Sequence, residues 1–596
     1  MHRERWGRLL QTLQVVRVSR RDQREDELLD VRVEAGETFT VTRNGRPVAD
    51  IVPHGQPPRR RITLAEAREL FALVKGEALI VSAITLGELA HRWSTSSRSP
   101  EGSPTWVAAG GATATMIATP IVRSVRRQES VVPIPQGHAV LGEGAPPVDR
   151  AAFGALSRPA VPRAERTAIG RSLRQATPRS ALGEWTASPD RVDVLTHLAR
   201  AHKGRVSELV RVRLERMAAS PYGFLRGAAG INAADFATLP ATGIQPVICG
   251  DAHLGNFGFY ASPERDLVFD LNDFDEAHPG AWEWDLRRLV ASTWVAGRCA
   301  GASEQDCEHA VYRCVRAYRR NLRRLAEEPL LARSYERIDA DTMHRYVSGR
   351  SSREAVRQAA DRARRRTSDR ALPRFTTDQG GVRRIVTEPP LITRPAPAEY
   401  EALLAGLDQY VTTLPAHWAR VVGGYHVVDI AHKVVGVGSV GLRAYLALCE
   451  GSTPGDVLFL QLKEARRSVV ASFVHGDSAW HAHQGQRVVE YQQALQTVSD
   501  PLLGWTTVGE RQFYVRQFRD MKGAIVLDGI DAAALADYAA VCGLMLAKGH
   551  ARTSGASMIA GYCGHGDNLE RALCAFARCY ADQTEADHEV VRRSIG

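Results

Sequence analysis

Two segments carry side chains whose types and spacing fit one chemistry. In the first, the apolar run Val247-Ile-Cys-Gly delivers Asp251, and Asn256 follows five positions later. A second apolar run, Leu267-Val-Phe, ends in Asp270, with Asp273, Asp275 and Glu276 close behind. A carboxylate that orients or deprotonates a hydroxyl, beside an amide and a carboxylate that hold Mg²⁺, is the equipment of phosphoryl transfer. Asp251 is assigned to the acceptor and Asn256 to the metal, while Asp270, Asp273 and Asp275 compete for the second metal position. An EF-hand is excluded, because Phe274 stands where an alternating ligand is needed. Only His253 and His278 lie nearby, in neither an HxH nor an HExxH spacing, so His253 is expected to bond the loop backbone instead of a metal. The plain alternative for each single acid is a helix cap or an ion pair with Arg287 or Arg288.

The second segment lies about 180 residues further on. Gly436-x-Gly438-Ser439-x-Gly441 sits between two apolar runs, a turn follows at Gly451-Ser-Thr-Pro-Gly-Asp, and the next run, Val457-Leu-Phe-Leu-Gln-Leu, ends in Lys463. Glycines let backbone amides approach phosphates, and an ammonium on an adjacent strand reaches their oxygens. A dinucleotide-binding fold needs a helix directly after the glycines, whereas these flanks read as strands. Of 77 basic residues only six are lysines, so arginine is the default surface cation and Lys463 calls for a local reason. Glu490, on the first helix after Lys463, is the expected carboxylate partner, with Glu464 the weaker candidate. Arg516, Arg519 and Lys522 read either as contacts to an anionic substrate or as surface pairs.

The elements that must position these groups follow from periodicity. Apolar residues recur at three- and four-residue steps over 190–219, and helices are also expected at 282–328, 352–366, 486–498, 531–551 and 568–594. Strand-rich stretches fall at 245–275 and 433–475. Asn44-Gly45 between alternating runs predicts a hairpin near the start. The Ser-, Pro-, Gly- and Ala-rich stretch 94–165 reads as a linker. At 596 residues the chain has room for about three to five folding units. A hydrophobic share of 44% and a charged share of 24% exclude a disordered or fibrous chain. Nine cysteines without a CxxC pair argue against a disulfide framework or zinc ribbon. No run suits a transmembrane helix and the start lacks a signal-peptide pattern, so no membrane partner and a cytoplasmic location are expected. The net charge of +10 suits an anionic partner.

Several resemblances sharpen these expectations. The Asp251 to Asn256 spacing is that of the protein-kinase catalytic loop, and Gly-Asp-x-His-x-x-Asn followed by a strand ending in Asp resembles aminoglycoside phosphotransferases and choline kinases. Trp284-Asp285-Leu resembles the small-molecule-kinase element in which a buried Asp braces the catalytic loop, and its interval favours Asp273 as the metal ligand, with Asp270 second. The resemblance implies an α+β, protein-kinase-like, two-lobed fold. Because the glycine loop and lysine follow the catalytic loop, that fold would be circularly permuted. It would occupy 166–596, with a catalytic-loop part at 190–330, an insert at 351–400, a glycine-loop lobe at 425–525 and C-terminal helices at 530–596. Arg216-Met-Ala-Ala-Ser-Pro-Tyr-Gly-Phe-Leu-Arg-Gly227, Gly250-Asp-Ala-His-Leu-Gly-Asn-Phe-Gly, Phe269-Asp-Leu-Asn-Asp-Phe-Asp-Glu, Gly436-Val-Gly-Ser-Val-Gly, Leu460-Gln-Leu-Lys-Glu-Ala and Leu546-Ala-Lys-Gly-His-Ala-Arg552 closely resemble a bacterial family catalogued as domain of unknown function 2252, over roughly 166–590. Glu34-Ala-Gly-Glu-Thr-Phe-Thr-Val-Thr-Arg-Asn-Gly resembles Phd/YefM antitoxins, making 1–75 an antitoxin-like segment with a DNA or toxin partner. Residues 79–93 resemble one step of PIN-type toxin nucleases, a remnant placed at 76–93. The expected function is an ATP- and Mg²⁺-dependent phosphotransferase acting on a small-molecule acceptor. Asp251 would be catalytic; Gly436, Gly438, Ser439, Gly441, Lys463 and Glu490 would bind the nucleotide. The alternatives are a nucleotide-binding regulator without turnover and a metal-dependent phosphohydrolase.

Overall fold

In the computed structural model the described residues are 161–595, apart from 381, 435, 437, 454, 475–480 and 554, together with four short strands nearer the N-terminus. The chain divides into two units, Met1–Ser130 and Val131–Gly596. In the first, Phe39–Arg43 pairs antiparallel with Arg46–Ile51, which is the expected hairpin, and Trp106–Val107 pairs with Thr113–Ala114. The rest of the antitoxin-like segment and the PIN-like stretch lie outside the described residues. The unit boundary falls inside the stretch expected to be a linker, and helix α1 (Arg163–Ser172) begins within its last residues.

The second unit mixes α and β. Helices α2 (Val194–His202), α3 (Ser207–Ala218) and α4 (Pro221–Gly227) come first. The periodic stretch predicted as continuous breaks at Gly204, whose φ of 76° suits a residue without a Cβ. Then follow β1 (Val247–Ile248) and the hairpin of β2 (Phe257–Ala261) and β3 (Leu267–Leu271), in register from Phe257 opposite Leu271 to Ala261 opposite Leu267. Strand β4 (His278–Pro279) returns to pair with β1. Helices α5 (Trp282–Cys299) and α6 (Glu304–Glu327) are long and amphipathic or wholly buried, and α6 starts at a Ser303–Asp306 capping box. After helix α7 (Arg350–Arg364) comes a six-stranded antiparallel sheet. Its strands are β5 (Ile392–Thr393), β6 (His426–Lys433), β7 (Ala444–Glu450), β8 (Val457–Glu464), β9 (Gly504–Val508) and β10 (Arg511–Gln517), in spatial order β5-β6-β7-β8-β10-β9. Helix α8 (Pro397–Val411) precedes β6, and helix α9 (Gln484–Leu495) lies between β8 and β9. Helices α10 (Ala532–Thr553), α11 (Ala556–Cys563) and α12 (Asn568–Ile595) close the unit.

Side-chain alternation explains both the sheet and its place above the site. Leu458, Leu460 and Leu462 of β8 pack with Leu403, Leu407 and Tyr410 of α8 on one face. Phe459 packs on the other face with Phe375 and Ile385, so the strand reads as one apolar run because both sides are covered. By the same alternation Gln461 and Lys463 share the face of Phe459. On β10, Phe513 and Val515 join the α8 layer and turn Tyr514 and Arg516 the other way. The helices beneath form one large core in which Trp282 stacks on Tyr318 at 5.8 Å. There α10 meets α6 so closely that a Cβ on Gly543 would stand 2.3 Å from the Cys314 carbonyl oxygen. Among the described residues α10 is the one helix long and apolar enough to cross a membrane, and most of it is buried in this core.

Candidate functional site

The acidic loop is held from below by one carboxylate. Asp285, fully buried on α5, accepts from the amides of Cys249 (2.7 Å) and Gly250 (2.8 Å), so the turn into Asp251 is fastened to the helix. His550 of α10 lies 3.3 Å from Asp285 and 2.8 Å from the Tyr318 hydroxyl, extending the brace into the core. Gly250 needs its φ of 75°, and a Cβ there would stand 2.3 Å from the Glu276 carbonyl oxygen. Asp251 then faces Arg288, which donates to Oδ1 from Nε (2.9 Å) and Nη2 (2.5 Å). Burial pushes the Asp251 carboxyl up to about 7 against the pull of Arg288. That is near the operating pH of a general base.

His253 bonds the loop, as expected, with Nδ1 accepting from the Gly255 amide at 3.0 Å. Burial, aided by Arg288 and Arg226, pushes its pKa well down, so the ring is neutral. Asn256 donates from Nδ2 to the Asp251 carbonyl at 2.6 Å, and its own carbonyl accepts from the Asn272 amide at 2.8 Å. The ends of the β2–β3 hairpin are therefore tied together, which sets Asp273 next in chain after the residue bonded to Asn256.

Lys463 meets this mouth from the sheet. It is 2% exposed, pairs with Asp275 Oδ2, and lies 3.5 Å from Asp273 Oδ1, although 190 residues separate Lys463 from Asp273. Burial opposes its charge, but Asp273 and Asp275 overcome this and hold the ammonium above its usual range. Burial would likewise raise Asp273, yet Lys463, Arg516 and Lys522 together hold its carboxyl below the usual value. The second oxygen of Asp275 is buried without a hydrogen-bond partner. Glu276 accepts from the Val469 amide at 2.7 Å, and burial raises its pKa.

The glycine segment links β6 to β7 and is anchored by the first helices. Arg216 donates to the Gly436 carbonyl (2.6 Å), Arg205 to that of Val440 (2.5 Å), and the Val206 amide to that of Gly441 (2.8 Å). Gly436 and Gly441 have φ of 70° and 85°, and the Ser439 carbonyl accepts from Leu442. A Cβ on Gly438 would stand 3.4 Å from the Arg226 carbonyl oxygen. The neighbouring Leu225 carbonyl accepts from the same Arg288 that holds Asp251. The loop thus lies over α4, which backs Asp251.

Two expectations are corrected. Asp270 is no metal candidate: it is 2% exposed, bonded to Lys548 and to the Leu271 amide, and Lys548 also donates to Thr497 at 2.9 Å. Its place inside the pleat, opposite Gly258, turns it into the helical core, whereas Asp273 lies beyond the strand end. Lys463 pairs with Asp275 and Asp273 instead of Glu490, whose carboxylate meets His481 (2.8 Å) and Gln486 (2.9 Å). Glu464 is taken up by Arg511, Arg466 and the Arg443 amide. Arg487 went unnoticed in the sequence because arginine is common here. It is fully buried and donates to the carbonyls of Asp275, Ala277 and Arg466, which fixes the acidic segment under the sheet.

Among the described residues no group of three or more His, Cys, Asp or Glu side chains could hold a metal. The donors present are the amide oxygen of Asn256 and the carboxylate of Asp273, hard oxygen ligands at adjacent chain ends. Such a pair fits Mg²⁺, which is bound through one or two protein oxygens with phosphates and water completing the shell.

A mixed α/β unit with a braced acidic loop beneath a glycine-loop sheet is thus the class this chain presents. It belongs to the family described as "Uncharacterized protein conserved in bacteria (DUF2252)", which matches residues 205–594. No curated protein and no solved structure matches it.

Proposed function

We propose that the protein is a Mg²⁺-dependent phosphotransferase of permuted kinase-like architecture, using ATP as donor and a small molecule as acceptor. The observation that carries this reading is the approach of Lys463 to Asp273 at 3.5 Å, which joins two motifs far apart in sequence. Supporting it, the glycine loop connects the first two strands of an antiparallel series whose third strand bears the lysine, the order in which protein kinases arrange these parts. The Asp251 to Asn256 loop, braced by Asp285, precedes that series in the chain.

Asn256 and Asp273 would hold the metal, and Mg²⁺ when bound neutralises charge developing on the phosphate oxygens. Lys463 would bind donor phosphates, with Asp275 fixing its ammonium. Gly436, Gly438, Ser439 and Gly441 would cover them. Asp251 accepts the acceptor's hydroxyl proton as the new oxygen–phosphorus bond forms and the bond to the bridging donor oxygen breaks. Arg288 positions the carboxylate for that transfer.

Calorimetric titration of the full chain with ATP and Mg²⁺, beside Lys463→Ala and Asp273→Asn, tests the reading. Mg²⁺-dependent binding weakened at least tenfold by both changes supports it. A folded protein that binds no Mg²⁺–phosphate donor refutes it.

A further inference from the structure

The face of the sheet that covers the site continues past Lys463, and what it offers there is charge. Gln461 stands two residues before Lys463 on the same face, a step of about 7 Å along the strand, and is paired in register with Arg516. The Arg516 guanidinium donates to Gln461 Oε1 at 3.1 Å and lies 5.5 Å from the Tyr514 ring centroid, while Lys463 lies 5.7 Å from the same ring. The next segment adds a second cation. Arg519 and Met521 both have positive φ, 58° and 50°, unusual for residues with side chains. The Phe259 amide donates to the Gly523 carbonyl (2.6 Å) and the Gly523 amide to the Phe259 carbonyl (3.0 Å), fastening this strained strap to β2, while the Met521 amide donates to the Arg366 carbonyl (2.8 Å) beyond the end of α7. Strain of this kind persists where the surroundings over-determine it, commonly at ligand sites.

Lys522 follows directly, and among the described residues its ammonium makes no hydrogen bond or ion pair. Burial, Arg516 and Lys463 push its pKa down to about 7, while Asp500 and Asp273 act the other way. Of the nearby acids, Asp500 is engaged by the amide and side chain of Gln517 (2.6 and 2.9 Å), Asp520 by Arg265 at 2.6 Å, and Asp273 lies 3.5 Å from Lys463. The apolar residues flanking the glycine loop, Val434 and Val440, are turned against Leu209.

We propose that the donor site ends in an anion subsite formed by Arg516, Lys522 and Gln461, and that it takes a linear polyphosphate chain where a nucleoside triphosphate would carry its base. The inference rests on the phosphoryl-transfer reading of the same site. Lys463 and the metal pair hold the reacting phosphates, and the two further cations hold phosphates beyond them. Among the described residues neither side chain makes an ion pair with a carboxylate, so an anion would gain two charge-assisted contacts.

The test is calorimetric titration of the full chain, in Mg²⁺, with inorganic tripolyphosphate and separately with ATP. Tripolyphosphate is expected to bind at least as tightly as ATP. Lys522→Met and Arg516→Gln, each with an unchanged melting temperature, are expected to weaken tripolyphosphate binding tenfold or more. Should either variant melt early, Lys522→Gln and Arg516→Lys repeat the measurement with less change of volume. If ATP binds while tripolyphosphate binds tenfold more weakly, or if the folded variants bind tripolyphosphate like the parent, the subsite is overturned and the phosphotransferase reading survives. If neither ligand binds, both fall.

Discussion

The buried Lys548–Asp270 pair offers a sharp test, because the same residue is either structure or metal ligand. The two side chains are 1% and 3% exposed. Lys548→Met removes the ammonium and leaves a buried carboxylate whose remaining donor among the described residues is the Leu271 amide at 2.9 Å. Breaking a buried pair from one side costs about 3–5 kcal/mol. With an unfolding entropy of about 2 cal/mol/K per residue over roughly 430 residues, or about 0.9 kcal/mol/K, the melting temperature should fall by about 3–6 °C. The double change Asp270→Asn with Lys548→Met removes both charges and should recover most of that loss, since neutral groups of similar volume replace buried pairs at little cost. Thermal melts by circular dichroism read the stability, and Mg²⁺-dependent donor binding is measured on the same samples. A single variant melting within 1 °C of the parent would refute the electrostatic reasoning. A double variant that melts normally but has lost metal-dependent binding would return Asp270 to the ligand set.

Other consequences can be read in parallel. Asp251 must be ionised to accept a proton, so turnover should rise with pH and be half-maximal near 7, where burial places its carboxyl; a midpoint near 4 would contradict this. Because that folded value lies above the ordinary 3.8, Asp251 contributes stability that is full below about 4 and lost as pH rises through about 7. The melting temperature of Asp251→Asn should therefore gain on the parent's between pH 4 and 8, and a constant difference would count against the shift. Lys463→Ala should weaken donor binding at least tenfold while Glu490→Gln changes it less than twofold, and the reverse order would restore Glu490 as the partner. Asp285→Asn sets an amide against two backbone N–H groups, each bond to the carboxylate being worth about 1.5–3 kcal/mol. It should lower both the melting temperature and turnover, and an unaffected rate would remove Asp285 from the brace.

What could be read in the sequence divides along physical lines. Helices α5, α6, α7, α9, α10 and α12 follow apolar periodicity, a local property, and lie where the three- and four-residue steps put them. The hairpin at Asn44-Gly45 rests on turn chemistry, equally local, and its two strands are paired. The rarity of lysine marked Lys463, and the same argument applied to Lys548 would have found the second buried ammonium. Asp270 was misplaced for a different reason. A strand end delivers a carboxylate to the mouth only if its parity in the pleat is right, and parity depends on the register with β2, which no single strand reveals. Asp273 lies past the pleat, so strand parity does not decide where it stands.

The partner of Lys463 illustrates the same limit. Expecting it on the next helix followed chain order, but a lysine fully enclosed in protein must be neutralised by whichever carboxylate is nearest in space, and the acidic loop beneath supplies two. Glu490 instead meets His481 and Gln486. Asp275 makes the closer contact to the ammonium, while Asp273 lies 3.5 Å from it with a side chain 39% exposed. The sheet and helices thus separate the three aspartates, with Asp270 paired to Lys548 in the core, Asp275 paired to Lys463, and Asp273 the most exposed of the three beside the same lysine, which is why the proposed metal role falls to Asp273.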